Sequence, residues 1–292
     1  MKVAIYGRVF SRNFNINIQN LFTELEKADV EFIIHKTFKD FLSTRLKLPL
    51  KVSVFESYLD IDNSIDLMLS IGGDGTMLDT ITYVRESGVP VLGINTGRLG
   101  FLSSISMDEL SEAVKAISQK DYHIEKRTLI NIKSPNNDFG DFSYALNELT
   151  VNKKDTASMM TVDAYINDQF LNTYWADGLI ISTPTGSTAY SLSCGGPIIV
   201  PDSENFVITP IAPHNLNVRP IIVSDKSKIT LKLMGRSKNY LAALDGRSIP
   251  IANNSTLEIS LAHFKVNLVR LNYQNFLETL RNKLMWGLDI RN

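Results

Sequence analysis

Three glycines in four positions, broken by one aspartate, make Gly72-Gly73-Asp74-Gly75-Thr76 the tightest constraint on this chain. The stretch follows an apolar run, Ile65-Asp66-Leu67-Met68-Leu69-Ser70, that reads as a buried strand. It precedes Met77, Ile81 and Val84, whose i, i+4, i+7 spacing reads as one face of a helix. A strand that feeds a glycine-rich turn at a helix N-terminus is a phosphate-binding geometry. Glycine lets the backbone approach an anion, and the first helical N–H groups have no partner within the helix. A carboxylate beside phosphate is repulsive unless it serves a metal ion or takes a proton, so Asp74 suggests more than an anion hole. The plain alternative is a tight turn with Asp74 as an ordinary cap.

Around this turn, residues 1–120 alternate strand and helix signals. Val3–Tyr6, Val30–Ile34, the run before Gly72, and Val89–Asn95 read as strands. Ile16, Ile18, Leu21, Phe22 and Leu25 give one rough helical stripe, and Met107, Leu110, Val114 and Ile117 another. Lys36 to Val54 is ambiguous, helical at first and then extended. The alternation implies a Rossmann-like α/β domain with a parallel sheet. In such sheets ligands bind beyond the carboxyl ends of the strands, where Gly72–Thr76 and Asn95–Gly100 both sit. From about Asp121 to residue 270 the pattern changes to short strands: Thr128–Lys133, Tyr144–Val151, Thr161–Ile166, Leu179–Ser182, Ile221–Val223, Ile229–Leu233 and Leu257–Leu261. That predicts an all-β, sandwich-like second domain. Phe276, Leu280 and Leu284 then return to helical spacing, so residues 271–292 are expected to carry a helix back to the first domain.

The bulk numbers narrow the function. A chain of 292 residues with 44 % hydrophobic content can build two ordinary cores. A net charge of -1 gives no footprint for nucleic acid. No apolar run approaches the roughly 20 residues of a membrane span. A single cysteine, Cys194, excludes an internal disulfide, and the expected location is the cytoplasm. The four histidines are scattered, with no zinc pattern, and neither the Walker phosphate loop nor the Gly-x-Gly-x-x-Gly fingerprint is present.

A second unusual stretch runs from Ala176 to Pro197, with Asp177 its one charge in 22 residues. A strand leads into a small, hydroxyl-rich segment that suits close contact with sugar or phosphate. A Ser/Thr-rich loop around a buried turn is the alternative. Cys194 beside two glycines reads as packing rather than as a nucleophile. Asn147-Glu148 lies within a strand pattern, where neighbours point to opposite faces unless the strand bulges or ends. Asp245-Gly246 looks like the turn of a hairpin.

Together these stretches resemble the NAD kinase family. The matching pieces are Gly72–Thr76, Gly93-Ile94-Asn95 with Gly97–Leu102, Asn147-Glu148, Asp177–Pro197 and Asp245-Gly246, in the family's order. The glycine-aspartate turn is shared with diacylglycerol and sphingosine kinases; the Asp177–Pro197 block is similar to NAD kinases specifically. The resemblance implies transfer of the ATP γ-phosphoryl to the 2′-hydroxyl of the adenosine ribose of NAD, giving NADP. Asp74 would be the general base. Gly72, Gly73, Gly75 and Thr76 would cradle the ATP phosphates with Mg²⁺ or another divalent cation. Asn147 and Glu148 would hold adenine and ribose. Asp177 and the segment Thr188, Ala189, Tyr190, Ser191, Leu192 and Ser193 would line the NAD site, with Tyr190 as a stacking candidate. Ala212, Asp245 and Arg247 fall at further dinucleotide contacts. The family often has a basic residue where this chain has Trp175, and Gln where it has Arg247. A homodimer or homotetramer is the family expectation. Two rivals are a lipid kinase, which needs an apolar acceptor pocket, and a dinucleotide sensor, which needs no base at Asp74.

Overall fold

A computed structural model describes residues 1–46, 52–97, 100–103, 105–154 and 159–286. Two compact units divide the chain: Met1–Lys126 with Val266–Asn292, and Arg127–Lys265.

The first unit contains β1 (Lys2–Gly7), α1 (Asn15–Lys27), β2 (Glu31–His35), α2 (Lys36–Ser43), β3 (Ser53–Phe55), β4 (Leu67–Ile71), α3 (Asp74–Val84), β5 (Val91–Ile94) and α4 (Leu110–Gln119). Its strands pair in parallel in the order β3-β2-β1-β4-β5. Val3, Ala4 and Ile5 of β1, Leu67, Met68 and Leu69 of β4, and Val91 and Leu92 of β5 are all inaccessible to solvent. Continuous apolar strands are what a parallel sheet covered on both faces requires. α3 buries Met77, Ile81 and Val84 as their spacing predicts. α1 buries Ile18, Leu21, Phe22 and Leu25, whereas Ile16 is 65 % exposed in the first helical turn. The ambiguous Lys36–Val54 stretch becomes α2 followed by β3, with residues 47–51 outside the described ones. α4 is preceded by a reciprocal cap, in which the Ser106 N–H donates to Glu109 Oε2 at 2.8 Å.

The second unit is built from strands. β6 (Tyr122–Lys133) leads into β7 (Tyr144–Ala145), β8 (Glu148–Lys153), β9 (Met160–Ile166), β10 (Gln169–Ala176) and β11 (Gly178–Ser182). A short helix α5 (Tyr190–Ser193) follows, then β12 (Asn205–Ile211), β13 (Ile221–Ser224), β14 (Ile229–Gly235), β15 (Asn239–Leu244), β16 (Arg247–Ala252) and β17 (Thr256–Leu271). Six strands form an antiparallel sheet in the order β13-β12-β11-β8-β15-β16. A second group runs β10-β9-β14-β17. Leu149, Val151, Leu179, Ile181, Phe206 and Ile208 from the first sheet share one apolar cluster with Val162, Ala164, Leu231, Leu257 and Ile259 from the second. Alternate residues of each strand meet across the two inner faces, which is a sandwich.

Past Val266 the chain belongs to the first unit again. Leu268 of β17 lies parallel beside Val91 of β5. α6 (Phe276–Leu284) then begins at Asn275, whose side chain accepts from the Glu278 N–H at 2.8 Å. Leu280 is buried, and the Phe276 ring lies 6.4 Å from that of Phe101. The C-terminal helix therefore returns to the N-terminal domain as its spacing predicts. Residues 287–292 lie outside the described ones, and no helix among those described is long and apolar enough to cross a membrane.

Candidate active site

In the first unit, the chain leaves β1 towards β2 and β3 on one side and later runs from β4 to β5 on the other. The carboxyl ends of β1 and β4 therefore flank a topological switch point, where open α/β sheets bind ligands. Gly72–Thr76 follows β4 at that place. Asp74 opens α3, and Gly73 caps it without a side-chain bond. The space a side chain on Gly73 would fill is empty, leaving the backbone accessible, whereas Thr76 is buried beneath Gly72. What the turn offers an anion is thus its N–H groups and the positive end of an 11-residue helix.

The Asp74 carboxylate is held from across the sheet. Its Oδ2 accepts the Phe101 N–H at 2.8 Å, and its Oδ1 accepts those of Leu102 at 3.1 Å and Ser103 at 2.9 Å. Gly100 makes this possible, since a Cβ there would lie 1.8 Å from Asp74 Oδ1. The two sequence stretches at strand ends, Gly72–Thr76 and Asn95–Leu102, are one structure joined through Asp74. Arg98 and Leu99 of the second stretch lie outside the described residues. Among the described residues Oδ2 carries a single N–H donor, so it has room to accept a hydroxyl proton.

Arg8 was not singled out from the sequence. It follows β1, and its guanidinium pairs with Asp79 of α3 at 2.6 Å while its side chain stays 59 % exposed. Its Nη1 lies 3.9 Å from the point where a side chain on Gly75 would begin. The Tyr6 hydroxyl donates to the same Asp79 carboxylate at 3.3 Å; burial and that charge push it up to about 12. An arginine one residue past a strand end carries no sequence signal until the sheet order puts it beside the glycine turn.

In the second unit, the predicted strand Tyr144–Val151 is interrupted at Leu146-Asn147. The cause is Asp245. Asp245 and Gly246, with φ of 50° and 86°, form the two-residue turn between β15 and β16. The Asp245 carboxylate accepts three successive backbone N–H groups, from Leu146 at 2.6 Å, Asn147 at 2.8 Å and Glu148 at 3.2 Å. The Thr183–Ser187 part of the hydroxyl-rich block docks on the same break. The Thr183 N–H donates to the Asn147 carbonyl at 2.9 Å, and a Cβ on Gly186 would lie 2.1 Å from that carbonyl. Three stretches far apart in sequence are thereby locked into one unit of structure.

Glu148 sits inside it with one carboxylate oxygen buried and without a hydrogen-bond partner. Burial, and then the neighbouring Asp245 charge, push its carboxyl up to about 8. Burial also raises Asp245, but its three N–H donors and then Arg247 pull it back. Asp177 pairs with Lys153 at 2.5 Å, a cation the sequence did not reveal. The Asp177 N–H donates to the Ile211 carbonyl at 2.9 Å, which puts exposed Ala212, with φ of 44°, next to it. Trp175 is 55 % exposed and Tyr190 43 % exposed. Burial raises the Tyr190 hydroxyl, with smaller contributions from Cys194 and Asp177. Thr188 and Ala189 are half-buried, as is Leu192, and Ser193 is exposed. Ser191 is buried with its hydroxyl 2.8 Å from that of Thr209. Arg247 spends its guanidinium on the carbonyls of Leu244 at 3.2 Å, Phe142 at 2.9 Å and Tyr144.

Two family models match the chain, the ATP-NAD kinase N-terminal domain over residues 20–122 and the ATP-NAD kinase C-terminal domain over residues 146–271. The chain belongs to the NAD kinase family. It is 45 % identical over 294 residues to the NAD kinase of Flavobacterium psychrophilum, and 44 % identical over 292 residues to that of Bacteroides fragilis, with each pair covering both chains completely. Among solved structures, yeast NADH kinase in complex with NADH matches with a TM-score of 0.87 at 24 % identity, covering 100 % of this chain and 89 % of that one. An NAD kinase from Archaeoglobus fulgidus in complex with ATP matches at 0.77 and 23 % identity, covering 98 % and 99 %. The N-terminal NAD kinase model contains Asp74 and its glycine turn. The C-terminal model starts at Leu146, the first residue whose N–H Asp245 holds.

Proposed function

We infer that this chain is an ATP-dependent NAD kinase that transfers the γ-phosphoryl of ATP to the 2′-hydroxyl of the adenosine ribose of NAD, giving NADP. The observation that carries the chemistry is the Asp74 carboxylate, fixed by three backbone N–H groups beside an open glycine turn. Asp74 is the general base. A carboxylate is a weak base for a sugar hydroxyl, but phosphoryl transfer has a loose transition state, so the proton can leave late and positioning does most of the work.

The first unit, residues 1–120 with 271–292 on the sequence reading, holds the phosphoryl donor. The N–H groups of Gly73, Asp74 and Gly75 take the phosphates, that of the buried Thr76 being spent on the Gly73 carbonyl at 2.9 Å, and Arg8 supplies a fork of donors beside Gly75. Residues 121–270 hold NAD. Asn147 and Glu148 take adenine and ribose, Asp177 and Thr188–Ser193 line the dinucleotide, and Tyr190 stacks. Trp175 and Ala212 border that surface. Asp245 and Arg247 act by fixing the 142–148 backbone on which Asn147 and Glu148 stand. Among the described residues no group of three or more His, Cys, Asp or Glu side chains converges to hold a metal. Mg²⁺ fits this reading as an ion carried largely by phosphate oxygens and water, offsetting the donor's charge. The location this implies is the cytoplasm. The quaternary state is a homodimer or homotetramer, supported by the edge strands β13 and β16, where Ile222 is 49 % exposed; sedimentation equilibrium reads it.

The test incubates the protein with ATP, Mg²⁺ and NAD and reads NADP with an NADP-specific dehydrogenase, alongside a diacylglycerol arm. NADP formation without a lipid product is expected. Lipid phosphorylation, or NAD binding without turnover, contradicts the reading.

A further inference from the structure

We propose that Arg270 is a positioning residue for Asp74, acting through two successive peptide groups. Arg270 lies near the end of β17 and is only 7 % exposed. Its Nε donates to Glu125 Oε2 at 3.0 Å, its Nη2 to the Phe101 carbonyl at 3.0 Å and its Nη1 to the Leu102 carbonyl at 3.3 Å. These two carbonyls belong to the peptide groups whose N–H ends, on Leu102 and Ser103, hold Asp74 Oδ1. Each peptide group is therefore bridged between a buried cation at its oxygen and the Asp74 carboxylate at its nitrogen.

This arrangement does more than close a loop. A cation at C=O and an anion at N–H polarise the same amide in the same sense, and such chains strengthen in a low-dielectric interior. The planar guanidinium fork spans two consecutive carbonyls and so fixes the angle between the two N–H groups that hold Oδ1. Glu125 balances the buried charge and fixes the fork in turn. Lysine, a point charge on a flexible stem, cannot reproduce that geometry. Arg270 meets no substrate in this scheme, and the glycine turn and the second unit's residues are left as they are. Its loss should therefore lower kcat and leave both Michaelis constants alone. That kinetic arm rests on Asp74 being the base of an NAD kinase; the structural arm below does not.

The test uses the full-length protein and the variants Arg270→Met, Arg270→Lys and Glu125→Gln. Amide hydrogen exchange is read at Leu102 and Ser103, with Leu69 and Leu92 in β4 and β5 as internal references. In Arg270→Met, exchange at Leu102 and Ser103 should speed up about tenfold or more while the references hold. Its kcat should fall about ten- to a hundredfold with both KM values within about twofold, a scale set by small misplacements of a reacting group. Arg270→Lys should recover part of both effects, and Glu125→Gln should show a smaller loss of each. Unchanged exchange at Leu102 and Ser103, or a kcat within about twofold of wild type in a folded Arg270→Met, overturns the proposal. If Arg270→Met does not fold, the Lys and Gln variants decide on the same criteria. If the wild-type protein makes no NADP, the enzymatic reading fails and the exchange measurement still settles the positioning.

Discussion

Glu148 and Asp245 are two carboxylates that burial treats alike and hydrogen bonding separates. Asp245 receives three N–H donors, whereas an oxygen of Glu148 receives none; burial raises both carboxyls, the donors oppose the rise at Asp245, and the Asp245 charge adds to it at Glu148. The consequence for stability has a definite sign. Glu148 is raised from 4.5 in the unfolded chain to about 8 in the folded one. The folded state binds an extra proton between those values, so the stabilisation is complete below pH 4.5 and is lost as pH rises through about 8. Urea unfolding at pH 5 and pH 8.5 should show wild type losing up to about 4 kcal/mol more than Glu148→Gln, on a scale of ~1.4 kcal/mol per pH unit. Parallel pH profiles for the two proteins would remove the buried-proton account. Arg8 gives a second residue-scale prediction. With its fork beside Gly75, Arg8→Gln should raise KM for ATP about tenfold and leave KM for NAD within about twofold. Equal changes in both constants would place Arg8 outside the donor site.

At the scale of elements, the Asp74 carboxylate depends on a glycine in another segment. Gly100→Ala places a methyl group where Asp74 Oδ1 now sits, so either the 100–103 backbone or the carboxylate must move. We expect kcat to fall at least about tenfold, with about 1–3 kcal/mol of stability lost; a thermal melt and a kcat measurement check both. Full activity in this variant would mean that Asp74 does not need its cradle. The sequence made some of these elements plain and hid others. Met77, Ile81 and Val84 showed α3 because its buried face repeats at the helical period. Asp245-Gly246 showed the β15–β16 turn because a two-residue hairpin needs positive φ at both places. The interruption of Tyr144–Val151 was invisible, since its cause lies nearly a hundred residues away. β10, β12, β15 and β16 are not among the strands expected from the sequence; β12 and β16 carry Pro210 and Pro250, and β16 is an edge strand where proline is tolerated. Ile16 stands two residues before Ile18, which turns it away from the buried α1 face of Ile18, Leu21, Phe22 and Leu25.

For the whole molecule, the change from alternating β and α signals to unbroken β signals near Asp121 was legible, because a parallel sheet needs crossover helices and a sandwich does not. The assembly of each half-site was legible only in part. Local motifs single out Asp74, Asn147-Glu148, Asp177 and Asp245 as candidates. Their supports, Arg8, Lys153, Thr183 and Arg270, became visible only through the strand order and long-range hydrogen bonds. The hydroxyl-rich block illustrates the gap: its composition suited sugar contact, yet the hydroxyls of Thr183, Ser187 and Ser191 are buried and bonded within the protein. The central claim is that an ordered carboxylate at the glycine turn takes the proton from the NAD ribose. Its most direct test is the turnover number of Asp74→Asn beside wild type, with NAD and ATP binding measured calorimetrically on the same samples. Asparagine keeps the side-chain shape but removes the base, so kcat should fall about a hundredfold or more while both ligands still bind. A folded Asp74→Asn enzyme turning over at close to the wild-type rate would contradict the account.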